Sequence, residues 1–76
     1  KHYTIRISFK NQNLTGQVHE HTDFYLVYFT DQKILEEFGG QHQFDVNKQI
    51  IPSGRQMPQG YPDFCRAIAA QLPDII

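Results

Sequence analysis

Chemistry in this 76-residue chain is most readily sought at His19-Glu20-His21. On a strand, side chains two apart project to one face, about 6–7 Å from each other. Two imidazoles so placed can share a divalent cation, with Asp23 or His42 available as a third ligand. The plain alternative is a polar outer face at the end of a strand. The triplet also lacks the four closely spaced ligands of structural zinc motifs. Cys65 stands near the start of the last helical pattern, where a helix N-terminus can lower a thiol pKa and create a nucleophile. It shares an apolar stripe with Phe64, Ile68 and Leu72, however, and a cysteine on such a stripe behaves as a small hydrophobe.

Two further groups have the composition of binding sites. Arg55 and Met57 fall in a loop, residues 52–60, with two prolines and two glycines. A loop held by a rigid scaffold can meet a partner, and Arg55 can meet an anion near the following helix. Asp63 opposes an anion there, and a solvated connector is the plain alternative. Tyr25, Tyr28 and Phe29, with Arg6 on a neighbouring strand, carry the rings of a platform for single-stranded nucleic acid. Glu20, Asp23 and Asp31 flank them where lysine and arginine are needed, so core and subunit interface is the stronger reading.

Enzyme chemistry finds little material. Ser8 and Ser53 lie in no nucleophile motif. Gly39-Gly40 lacks the lysine of a phosphate loop. Glu36 and Glu37 are adjacent on a helical segment and so diverge. A small hydrolase or nuclease would need His42, Arg55 or Arg66 to meet a carboxylate in space. No cofactor motif is present, and none is expected to be bound.

The bulk numbers bound these readings. A chain of 76 residues has room for one small domain, 1–76, and buries a modest fraction of its surface. Six Phe and four Tyr argue against disorder despite only 39% apolar residues. A net charge of -1 offers no field for nucleic acid or an anionic membrane. One cysteine rules out an internal disulfide. Nine glutamines spread along the chain make a nearly neutral surface that resists self-association weakly. No apolar run is long enough to cross a membrane, and the strand pattern starts at once without a signal-peptide pattern. A soluble, cytoplasmic chain is the expectation.

The elements that must position these groups follow from periodicity. Tyr3, Ile5, Ile7 and Phe9 alternate with Thr4, Arg6, Ser8 and Lys10, a half-buried strand. Asn11-Gln12-Asn13 suits a turn, and a second strand runs from Leu14 to about His21, with Gly16 weakening it or marking a bulge. Residues 23–30 are apolar on both faces, which predicts an inner strand or one covered by a partner. Thr30-Asp31-Gln32 offers a cap for a short helix or helical turn over 32–38, stopped by Gly39-Gly40, with a strand as the competing reading. Residues 43–51 predict another strand, or a small hairpin of 43–46 with 49–52 if Asn47-Lys48 turns. Pro62 and Asp63 open an amphipathic helix over 62–72, and Pro73 ends it. Ile75 and Ile76 are expected to pack on the core or on another subunit, or to lead into further chain.

These elements predict an α+β fold. It is an antiparallel β-meander of three or four strands, with one C-terminal amphipathic helix packed on one face. The expected core is Tyr3, Ile5, Ile7, Phe9, Leu26, Tyr28, Phe44, Val46, Ile50, Phe64, Ile68 and Leu72. Tyr25, Val27 and Phe29 replace Leu26 and Tyr28 if the central strand faces the other way. One helix can shelter only one face. The expected function is therefore a non-enzymatic interaction module, a homodimer formed through the second aromatic face of Tyr25, Val27 and Phe29. A metal-binding protein using His19 and His21 is the alternative.

Overall fold

The computed structural model describes residues 1–51 and 58–73. Four strands form one antiparallel sheet in the order β1-β2-β3-β4: β1 (His2–Phe9), β2 (Gln12–Glu20), β3 (Phe24–Phe29) and β4 (Gln41–Asp45). A short helix, α1 (Gln32–Glu37), links β3 to β4, and α2 (Tyr61–Ala69) closes the described chain. The small α+β meander expected from periodicity is the fold observed.

Local chemistry sets the corners. The β1–β2 hairpin turns on Lys10 and Asn11, with φ of 50° and 61°. Two consecutive positive φ values mark the tight turn whose twist matches the strands it joins. The turn thus shares Asn11 with the predicted polar break but starts one residue earlier, and Gln12 and Asn13 belong to β2. Asp31 caps α1 by accepting from the amides of Lys33 and Ile34. Gly39, at φ 90°, ends it in the left-handed conformation that glycine tolerates best. Lys10 reaches Glu37 at 2.8 Å, a surface ion pair between the first turn and α1; such pairs add little stability.

The core lies between the sheet and the helices. From β1 come Ile5 and Ile7, from β2 Leu14 and Val18, from β3 Tyr25, Val27 and Phe29, and from β4 Phe44. Ile34 of α1, Phe64, Cys65 and Ile68 of α2, and Leu72 beyond it complete the cluster. Phe64 is its hub, with ring centroids 4.8–5.4 Å from Phe38, Phe9, Phe29 and His42. Tyr3, Phe9 and Ile50 are partly buried against this core. The Tyr25 hydroxyl donates to the Pro73 carbonyl and ties the segment after α2 to β3.

Four expectations need correction. Leu26 and Tyr28 do not enter the core; the reversed assignment is the observed one, with Tyr25, Val27 and Phe29 inside. Register decides this. Val18 pairs with Val27 and Gly16 with Phe29, so the apolar side of β2 dictates which side of β3 is covered. Val46 is exposed, because β4 ends at Asp45 and the chain turns through Asn47 and Lys48, the latter at φ 64°. Asp45 organises that turn by accepting from the amides of Asn47 and Gln49. The chain returns beside β4, where Phe44 bridges Ile50, which is the hairpin alternative in shortened form. Gly16 makes no bulge. The β1–β2–β3 register runs unbroken through it, and a Cβ there would stand 3.0 Å from the Phe29 ring. Glycine is present because that ring lies against the backbone. Finally, α2 ends at Ala69, and Leu72 reaches the core from the turn that follows.

Candidate functional site

Strand alternation leaves the second face of the sheet to Thr4, Arg6 and Ser8 of β1, Thr15, Gln17 and His19 of β2, Phe24, Leu26 and Tyr28 of β3, and Gln41, Gln43 and Asp45 of β4. Both helices contribute their buried residues to the opposite face. Phe24, Leu26 and Tyr28 are half-buried and stand outside the core cluster. Across this face His19 sits opposite Leu26 and Leu26 opposite Gln43; Gln17 sits opposite Tyr28 and Tyr28 opposite Gln41. The result is an apolar ridge along β3 with amide side chains on either side.

The histidines extend that ridge. His2 and His19 are cross-strand partners whose rings stack at 4.0 Å, 8° from parallel. His19 in turn lies 4.9 Å from Tyr28, and His21 stacks on Phe24 at 4.3 Å. Loss of solvent, then the neighbouring His2, His21 and the N-terminal amine, hold the His19 imidazole below the usual histidine range. Among the strand residues of this face, formal charge is carried by Arg6 and Asp45, on the two outer strands, and Asp45 is engaged in its turn.

The sequence-derived site residues fall at different places in the fold, with His21 staying near enough to His19 to disfavour its charge. His19 belongs to β2, but His21 lies past its end, where its amide donates to the Phe24 carbonyl. A cation must lie in the plane of each imidazole, along the nitrogen lone pair. The nearly parallel His2 and His19 rings offer no shared point of that kind. Among the described residues no three His, Cys, Asp or Glu side chains converge as a metal site. Tyr25, Val27 and Phe29, expected on the interacting face, are buried within one copy of the chain. The aromatic face opposite them is carried by Phe24, Leu26 and Tyr28. Arg55 and Met57 lie outside the described residues, as do Ile75 and Ile76. Arg66 does meet a carboxylate, that of Asp63, but the pair is exposed on α2 while His42 is buried against Tyr61.

Chain matching adds nothing further: no family model, no curated protein and no solved structure matches this chain. The functional reading therefore rests on geometry. No helix among the described residues is long and apolar enough to cross a membrane.

His42 is the residue that sequence reasoning placed least well. It is the buried polar residue of the described core, at 2% exposure. Its Nε2 stands 3.0 Å from the Gly39 carbonyl and its Nδ1 2.6 Å from the Tyr61 hydroxyl. A carbonyl only accepts, so Nε2 carries the proton and Nδ1 accepts from Tyr61. The Tyr61 hydroxyl also meets the Cys65 thiol one helical turn on. Burial pushes that thiol up, which makes it a poor nucleophile and supports its reading as a small core residue. The available signal was parity: His42 shares its face of β4 with Phe44.

Proposed function

We propose that this chain is a small interaction module that pairs with a second copy of itself through the helix-free face of its sheet. The observation that carries the reading is the double-sided apolar character of β3. Tyr25, Val27 and Phe29 are covered by the chain's own helices, while Phe24, Leu26 and Tyr28 remain half-exposed on the other side. A second copy supplies the same ridge in return, as a two-fold contact requires.

The face suits such a contact. Four strands about 4.8 Å apart, each with about six residues rising about 3.3 Å, give a flat footprint of roughly 400 Å² per copy. Two such faces bury roughly 800 Å² before side-chain relief is added, the size of a weak, transient contact. Aromatic rings at the centre with neutral amides around them are the composition that interface cores favour. Few charges need be desolvated, because the ridge itself carries none. At this size the pairing is expected to be concentration-dependent.

Sedimentation velocity over a series from low to high micromolar concentration tests the reading. The parent chain is expected to shift from monomer to dimer. Leu26→Lys puts a charge at the middle of the ridge and should hold the chain monomeric while leaving its circular dichroism unchanged. A parent chain that stays monomeric throughout refutes the proposal.

A further inference from the structure

We propose that His42 is an acid-sensitive latch: uptake of one proton at its Nδ1 releases the first turn of α2 from the sheet. The latch joins three pieces of chain at one point. His42 stands on β4, Gly39 in the link from α1, and Tyr61 at the start of α2. Its surroundings are aromatic, with Phe29, Tyr61 and Phe64 ring centroids 5.4–5.9 Å from the imidazole.

With a neutral ring both nitrogens are satisfied and no charge is buried. Nε2–H donates to Gly39 and Nδ1 accepts from Tyr61. A proton taken from solvent turns Nδ1 into a donor, and the Tyr61 O–H must then swing toward Cys65. The positive charge that remains meets no opposite charge among the described residues. The groups facing it are the Tyr61 hydroxyl, with the Cys65 thiol behind it, from α2. From the α1–β4 link comes the Gly39 carbonyl, from β3 Val27 and Phe29, and from β4 itself the uncharged Gln41 and Gln43, which face away. Among the described residues, no Asp, Glu, Lys or Arg enters these contacts. Burial accordingly holds the ring below the usual histidine range, partly offset by the Gly39 bond. A base favoured neutral in the fold stabilises it fully above the unfolded histidine value of about 6.5, and that contribution is lost as pH falls below it.

The response is local because the two ends of α2 are held differently. Ile68, Leu72 and the Tyr25–Pro73 bond anchor the far end. The near end has a glycine N-cap at φ 85° and no side-chain cap. Tyr61 is half-buried there, and Phe64 follows it into the core. Release of that turn frees the Tyr61 side chain from β4, while Phe64 and Ile68 keep the helix on the sheet.

The test is an NMR titration of the full chain from about pH 8 to about pH 5, the range in which histidine changes charge. The His42 ring signals and the amides of Tyr61 to Cys65 are expected to change together at one midpoint below the free-histidine value, with the β1–β2 amides unmoved. His42→Gln can still donate to Gly39 and accept from Tyr61. It should keep α2 docked and abolish the step. The same step in His42→Gln would overturn the proposal, since the titrating group would then lie elsewhere. If that variant does not fold, the parent chain decides alone. A His42 ring that titrates while the Tyr61 to Cys65 amides stay fixed overturns the latch.

Discussion

Truncating Phe64 to alanine should come close to unfolding this chain. The ring has no exposed surface, and four other rings, Phe9, Phe29, Phe38 and His42, lie against it. Phe→Ala in such a site costs about 3–5 kcal/mol, from lost burial and from the cavity left behind. A chain of 76 residues at roughly 0.05–0.15 kcal/mol per residue has about 4–11 kcal/mol in all. The substitution therefore removes between about a quarter and all of the stability. Urea unfolding followed by far-ultraviolet circular dichroism measures it. With a slope of about 1 kcal/mol per molar for so small a chain, the midpoint should fall by about 3 M or more, or disappear. Phe64→Leu keeps much of the apolar volume and forfeits the ring contacts, so its loss should be about 1–2 kcal/mol. An alanine variant that loses less than about 1 kcal/mol would show that α2 does not dock on the sheet through this ring.

Two other substitutions probe the frame around the site. Gly16→Ala drives a methyl against the Phe29 ring, already packed on Phe64, and should cost about 1–3 kcal/mol; the double variant with Phe29→Leu should recover part of it. Unchanged stability in the single variant would mean that the ring has room to move. Asp31→Ala removes the acceptor for two amides of α1 and should cost about 0.5–2 kcal/mol, seen as faster hydrogen exchange in the amides of Lys33 and Ile34; protection equal to the parent contradicts the capping role.

Much of the architecture was legible because its signals are local. Alternation from Tyr3 to Phe9 marks β1, Asp31 and Gly39 bracket α1, and the stripe of Phe64, Cys65 and Ile68 marks α2. The face of β3 was not legible from its own residues. Six apolar side chains in succession carry no parity, so either face can serve as core. The deciding information lay one strand earlier. Leu14 and Val18 mark the covered side of β2, and the tight connection through Thr22 and Asp23 sets Glu20 opposite Tyr25. Following that register across the turn places Tyr25, Val27 and Phe29 inside. Val46 misled for a related reason: it keeps the parity of Phe44 but lies past the point where Asp45 starts the turn. His42 could be placed in the core by that same parity. Its partners could not be foreseen, because Tyr61 is 19 residues away and meets it only once α2 has docked.

The pairing of two helix-free sheet faces is best tested by amide NMR spectra recorded on serial dilution. The account predicts concentration-dependent shifts centred on Phe24, Leu26, Tyr28 and their neighbours His19 and Gln43, with the amides of α2 unmoved. Shifts confined to α2 or to the outer edge of β1, or none at any concentration, would contradict it.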